Sequence, residues 1–448
     1  QDNSKSENVI KKLEKYHLNC LQFYDWQYKH QKPLAGTVQK PLDKWEDIAN
    51  RDTYKKTIEY YINSCHKKNI MAANYNLMFG AYDGYEEDGI KKEWGLYKDT
   101  NHENQDCNGL PASWAASQIY LFNPSNKDWQ NYIFNQEKDA MKVYNFDAWH
   151  IDTLGDRKEL YDYNGKPVEL SSTYSDFLTN AKKALNKKLI LNPVDGYGEE
   201  ETDSNESLDF LYKEVWPDNY LSYQDLKEAI EKGNKLSKGK NIVLAAYMNY
   251  DLSQNPGKFN EPGVKLTDAS IFASGGAHIE LGDTGMLGNE YFPNKNLQMT
   301  ESLKDSMKNY YDFLVSYENL LRDGVENCDN KIETPGIKSE IDCIPNSIWT
   351  FSKEKKGFNI IHLINLLGNR SSQWVDNLGE TKKPQIKSNF QIKYYYSKKP
   401  KKIWMASPDI NDGKTIKLNY TIKKDSKGQY LNINIPKLNY WDMICIED

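Results

Sequence analysis

Phe146-Asp147-Ala148-Trp149-His150-Ile151-Asp152 is a short apolar run that ends in a carboxylate. A strand covered on both faces reads as a nearly continuous apolar run and should finish in apolar residues or turn formers. This one finishes in an acid. Outward from it, similar runs recur at 18–25, 69–76, 116–122, 188–193, 209–216, 241–249 and 277–282, giving eight strand candidates. Helix-like stretches lie between them at 52–67, 126–143, 174–186, 222–236 and 265–274, and one at 300–322 closes the series. Ser222, with Asp225 and Leu226 after it, reads as an N-cap and first turn. Eight such units predict an α/β fold, a (β/α)8 TIM barrel, over residues 1–325.

Polar residues gather at the C-terminal ends of these runs. They are Tyr24-Asp25-Trp26, Tyr75-Asn76, His150 and Asp152, Asn192, Glu214 and Trp216, Asn249, and Glu280 with Asp283. Barrel enzymes build their sites on that face. Residues 78–115 form a long insertion rich in Gly, Asp, Tyr and Trp, and the aromatics suit a site-covering loop. From about residue 330 the pattern changes to period 2, with runs at 347–352, 358–366, 389–396, 402–406, 415–422 and 430–435. Turn residues separate them, which predicts an antiparallel β-sandwich over 330–448.

Composition narrows the function. Lys and Arg number 58 against 64 Asp and Glu, a net charge of −6, which offers no basic face to a nucleic acid. No run approaches the length of a membrane helix. Aromatic residues reach 13%, with 32 Tyr and 11 Trp, the flat faces with polar edges that carbohydrate sites use. Six cysteines without a CxxC make no disulfide scaffold, although Cys328 and Cys343 lie close enough in sequence to pair. The polar start, Gln1-Asp2-Asn3-Ser4-Lys5, holds no signal peptide. The protein is therefore either intracellular or already processed.

The motifs of other chemistries are missing. There is no HExxH, the seven His are scattered, and no metal site is expected. No GxSxG elbow and no GxGxxG after a strand occurs. Two carboxylates stand out instead. Asp152 ends the fourth strand candidate and Glu214 the sixth, and alternate strands bring their ends together across a barrel mouth. Glycoside hydrolysis needs such a pair, one to attack or activate water and one to protonate the leaving oxygen. Trp149 and Trp216 beside them would supply sugar-stacking faces. Either acid alone would read equally well as a loop charge or a helix N-cap.

With these residues in place the sequence resembles glycoside hydrolase family 66, the dextranases and cycloisomaltooligosaccharide glucanotransferases. The likeness is carried by Gln22-Phe23-Tyr24-Asp25-Trp26 with His30, by Phe146 to Asp156, and by Lys213-Glu214-Val215-Trp216. It extends to Gly275-Gly276-Ala277-His278-Ile279-Glu280-Leu281-Gly282 and Glu290-Tyr291-Phe292-Pro293-Asn294. It implies Asp152 as nucleophile, Glu214 as acid/base, and retaining, endo-acting attack on α-1,6-linked glucan. Asp25, Trp26, His30, Tyr75, Asn76, Trp149, His150, Trp216, Asn249, His278 and Glu280 are the expected substrate contacts, with Asp147 read as structural. Two departures matter. The family's β-sandwich before the barrel is absent or was removed, since the first strand begins by residue 18. The short span after Asn249 leaves no room for the carbohydrate-binding insertion of cyclising members, which favours hydrolysis.

The expected partner is an α-glucan polysaccharide or oligosaccharide, with no cofactor, no nucleic acid and no membrane span. The oligomeric state stays open. A secreted or cell-surface place suits a polymer substrate, with an intracellular one left open. The alternatives are a transglycosylase, a hydrolase of another α-glucan, or a non-catalytic carbohydrate-binding protein on the same scaffold.

Overall fold

Four of the apolar runs become one parallel sheet. A computed structural model describes residues 4–289 and 295–448, so the motif at 290–294 lies outside the described residues. Strands β1 (Cys20–Phe23), β2 (Met71–Leu77), β3 (Ala148–Asp152) and β4 (Lys188–Asn192) lie side by side in that order. Their register puts Leu77 beside Asp152 and Asp152 beside Asn192, so the polar ends share one edge. Helices α1 (Lys55–His66), α2 (Lys127–Val143) and α3 (Tyr174–Leu185) intervene. Asn126 caps α2, its side chain accepting from the amides of Asp128 and Trp129. Trp129, Ile133 and Phe134 line the buried face of that helix. Strand β5 (Leu211–Glu214) ends at the second carboxylate.

One expected strand goes elsewhere. The run at 116–122 does form a strand, Gln118–Leu121, but it pairs antiparallel with Gly80–Tyr82 and Cys107–Gly109. Two of the three strands of this small sheet thus come from the predicted insertion. The reason is visible in the alternation: Ile119 and Leu121 are buried while Gln118 and Tyr120 are half-exposed. A strand with one wet face suits an antiparallel sheet, not a parallel one covered on both sides. The run at 146–152 therefore follows β2 directly in the parallel sheet. Asp152 and Glu214 end β3 and β5 rather than the fourth and sixth of the parallel set, and their alternation survives because both numbers fall by one.

Contacts divide the chain into two units, residues 1–214 with 236–240, and 215–235 with 241–448. In the second unit β6 (Ile242–Ala245) pairs parallel with β7 (Ala277–Ile279), joined through helix α4 (Glu261–Ser274). Pro262 sits in the first turn of α4, and Gly275, at φ 94°, ends it in the left-handed conformation.

The rest of this unit is two antiparallel-rich sheets. Strands Ile348–Lys355, Phe358–Asn365, Trp441–Glu447 and Lys402–Ala406 are neighbours in one. Lys387–Tyr395, Gly428–Leu438 and Tyr420–Asp425 are neighbours in the other. Ile361, Leu363 and Ile444 of the first sheet meet Ile392, Leu431 and Ile433 of the second in one apolar cluster. Trp441–Glu447 is missing from the sequence expectation because buried Asp442 interrupts its apolar run. Cys328 and Cys343 are both free thiols, not a disulfide. The chain is therefore mixed α/β with a sheet-rich C-terminal part. Among the described residues no helix is long and apolar enough to cross a membrane.

A candidate active site built on two carboxylates

Side chains alternate along a strand, so the register of β3, β4 and β5 decides which groups meet. On β3, His150 and Asp152 share one face and Trp149 and Ile151 the other. Asp152 Oδ1 accepts from the Thr153 amide at 2.9 Å and from Asn192 Nδ2 at 2.9 Å. Asp152 Oδ2 accepts from the Tyr75 hydroxyl at 2.7 Å. Asn192 Nδ2 also donates to Glu214 Oε2 at 2.6 Å. One amide nitrogen thus touches both acids. The two acceptor oxygens cannot be farther apart than 2.9 Å plus 2.6 Å, or 5.5 Å. Thr153 Oγ1 donates to the Asn192 carbonyl at 2.8 Å and ties the strand ends together. Asp152 and Glu214 are both partly exposed, whereas Asn192 and Tyr75 are buried.

Electrostatics follow from this burial. Desolvation pushes the Asp152 carboxyl up to about 6, against the pull of its bonds from Tyr75, Thr153 and Asn192, and the charge of Asp25 adds to the rise. Asp25 follows β1 in a left-handed turn at φ 48° and is partly exposed. Burial raises it to about 7, with Asp47 adding to the rise and Arg51 and Gln27 opposing it.

The face opposite the acids is structural. Lys213, one residue before Glu214, is buried with Nζ 2.8 Å from Glu199 and 2.9 Å from Asp203. It fastens the helical turn Glu199–Thr202, which follows β4, to β5. Asp147 accepts from the Ala72 amide at 2.8 Å and lies 2.8 Å from His66, in keeping with a structural part.

Several expected sugar contacts sit in the interior. Trp26 is 4% exposed, donates to Asn74 at 2.7 Å, and packs on Trp45, Tyr144 and Phe146. Trp149 is fully buried against Phe134 and Phe177, three residues from Asp152 and so on the other face of β3. Asn76 turns to the helix side, where it donates to buried Glu137 at 2.5 Å. His30 donates to Asn76 at 2.8 Å, and burial pulls it down to about 4. None of these four presents a face to a ligand. His150 is also buried, edge-on to Tyr212 at 4.5 Å, and desolvation alone lowers it to about 3. Tyr75 reaches the site as a donor to Asp152.

The second unit holds the remaining candidates. Trp216 is half-buried beside Tyr247 and Tyr250, with ring centroids at 6.0 and 5.4 Å. Asn249 is fully buried at φ 54°. Its side chain donates to the Asp376 carbonyl at 2.6 Å and accepts from the Asn260 amide at 2.9 Å, so it braces a loop. His278 and Glu280 form a closed group with Asp268, and the ligand atoms of the three lie within 4.8 Å of one another. His278 Nδ1 is 2.8 Å from Asp268 and Nε2 is 2.8 Å from the Ala246 carbonyl. Two oxygen acceptors suit the doubly protonated ring, which leaves no lone pair for a cation. Tyr311 donates to Glu280 at 2.7 Å.

Asn192, Tyr212 and Lys213 are the residues that sequence reasoning left without a role. For Asn192 the signal was present, a polar strand end between two others that carry acids.

Parallel strands whose ends converge on two acids, followed by a sheet-rich segment, define an α/β protein with a paired-carboxylate site. The chain belongs to glycosyl hydrolase family 66, whose family model matches residues 1–445. It is similar to a cycloisomaltooligosaccharide glucanotransferase of Niallia circulans, 29% identical over 96% of this chain and 58% of that protein. It is also similar to a dextranase of Streptococcus salivarius, 25% identical over 98% of this chain and 62% of that one. The crystal structure of a Paenibacillus sp. cycloisomaltooligosaccharide glucanotransferase, complexed with cycloisomaltoheptaose, superposes with a TM-score of 0.94 at 27% identity. That match covers 99% of this chain and 83% of the other. The chain spans about 60% of the length of the curated relatives it matches (58% and 62%). Their alignments run to 575 and 528 positions against 448 residues, so both relatives carry inserted segments that this chain lacks.

Proposed function

We propose that the protein is a retaining, endo-acting glycoside hydrolase that cleaves α-1,6-glucosidic linkages of dextran-like glucans. Asp152 is the nucleophile and Glu214 the acid/base. The observation that carries this is the shared amide, which keeps the two acceptor oxygens within 5.5 Å. Retaining pairs hold their carboxyl groups about 5–5.5 Å apart, and one amide reaching both acids favours that spacing over the about 6.5–9.5 Å of inverting pairs. Oδ1 of Asp152 holds two donors and Oδ2 one, so Oδ2 has the freer lone pair for attack.

In the first step an Asp152 oxygen bonds to the anomeric carbon while Glu214 gives its proton to the departing glycosidic oxygen. In the second, Glu214 takes a proton from water, and the water oxygen displaces Asp152. The substrate class follows from the relatives' names. The parallel strands are read as part of a closed (β/α) barrel in which the run at 116–122 takes no part. A secreted or cell-surface place suits a polymeric substrate.

A second reading, transfer to a sugar hydroxyl in place of water, is favoured by the names of the two glucanotransferase relatives. Incubation with dextran, starch, pullulan and cellulose, reading reducing ends and cyclic products, decides between them. The proposal expects release from dextran with the α-anomer formed first. Cyclic products without reducing ends would establish transfer instead, and a β-anomer would overturn retention.

A further inference from the structure

Asn192 has more to offer than the bridge. Its amide has two N–H donors and one carbonyl acceptor. Both donors are committed, one to Asp152 and one to Glu214. This fixes the orientation of the amide, because turning it over would set its oxygen against two carboxylates. The remaining atom, Oδ1, is buried and has no hydrogen-bond partner among the described residues. Buried polar groups are nearly always satisfied, so an orphaned acceptor at a polar site marks a place where something else donates. Oδ1 is bonded to the same carbon as Nδ2, so any hydroxyl that reaches it lies beside the two acids.

We propose that Asn192 both aligns the acid pair through Nδ2 and binds substrate through Oδ1, which accepts from a hydroxyl of the sugar that Asp152 attacks. The hydroxyl adjacent to the anomeric carbon is the one near enough to serve, and such bonds strengthen in the transition state. The donor half has its own consequence. The bond from Asn192 helps hold Asp152 ionised, so its loss disfavours the nucleophilic form. This inference rests on the roles assigned above to Asp152 and Glu214.

The test uses an aryl α-isomaltotrioside and its analogue lacking the 2-hydroxyl on the sugar that bears the aryl group. Three enzymes are compared: the unaltered protein, Asn192→Ala and Asn192→Asp. Asn192→Ala should lower kcat/KM by about 100-fold and the deoxy substrate should then cost nothing further, whereas the unaltered protein should lose about 100-fold on deoxygenation, from paired bonds to one sugar. Asn192→Asp keeps an acceptor but not the donors. It should stay sensitive to deoxygenation while the acidic limb of its pH profile moves upward. Equal, additive deoxygenation losses in the unaltered protein and Asn192→Ala would overturn the substrate contact. An unmoved acidic limb in both variants would overturn the aligning role.

Asp152→Asn run alongside keeps the two proposals separable. Its full activity would sink the assigned pair itself, whereas its inactivity with additive Asn192 data would sink only this inference.

Discussion

Two groups of acids in this molecule each include a carboxylate at a strand end, and they have opposite characters. Asp152 and Glu214 are partly exposed and held by neutral donors, a tyrosine hydroxyl, a backbone amide and an asparagine. Asp268 and Glu280 are fully buried around His278. In the first group the hydroxyl and amide donors named above carry no charge, so each stabilises a carboxylate without neutralising it. In the second an imidazolium sits among the acids and a backbone carbonyl closes its far side. Neutral donors keep a carboxylate ionised without saturating it, whereas a charged partner consumes it. Proximity of acids therefore does not by itself separate the two groups; exposure does.

The sharpest way to break this contrast is to remove one acid of the open pair. Asp152→Asn and Glu214→Gln should each lower turnover on dextran by about 1,000-fold or more with unchanged melting temperature. Azide should rescue Asp152→Asn and give a product of inverted configuration. Glu214→Gln should still form the glycosyl-enzyme from a substrate with a good leaving group, visible as added mass on the protein. Near-native activity in either variant would put both clusters in one class.

The closed cluster should answer in stability. Asp268→Ala leaves a buried imidazolium with one acceptor fewer and should cost about 3–5 kcal/mol in urea unfolding at neutral pH. Lost activity at unchanged stability would make this group functional and erase the contrast.

A smaller effect belongs to Tyr75. Tyr75→Phe removes a donor that helps keep Asp152 ionised, so the Asp152 carboxyl should rise further. The acidic limb of kcat/KM should move up by about one pH unit, the equivalent of one charge-assisted hydrogen bond. A limb that stays in place would show that it does not report Asp152.

The last effect is a slope. Burial raises Glu280 to about 8, with the charge of Asp268 adding and His278 opposing. For His278 burial pulls down, but Glu280 and Asp268 outweigh it and hold the ring up at about 9. Both groups bind protons more tightly in the folded protein than in the unfolded chain. Stability from Glu280 is therefore lost as pH rises from near 4.5 through 8, and that from His278 is lost between about 6.5 and 9. Glu280→Gln should flatten this fall between pH 5 and 8, read by urea titration. An unchanged slope would show that Glu280 is already ionised in the fold.

Much of this was written in one dimension. The apolar runs marked most of the strands, and their carboxylate endings singled out Asp152 and Glu214 as a pair, because two acids at the ends of alternate runs are harder to explain as loop charges than either alone. The stretch 126–143, which becomes helix α2, was legible from its helix-like pattern. Alternation within a run could also have been read further, since it alone sends Trp149 to the side of β3 opposite Asp152. What no single stretch contains is which strands become neighbours. The run at 116–122 looks like its companions, yet its half-wet face finds an antiparallel partner. The burial of Trp26, the turning of Asn76 toward Glu137 and the bracing of a loop by Asn249 depend on residues dozens of positions away. The bridge at Asn192 is of the same kind. Sequence placed an amide at the end of one strand, and only the register of three strands put its nitrogen between two acids, because hydrogen bonds act over about 3 Å of space whatever the distance along the chain.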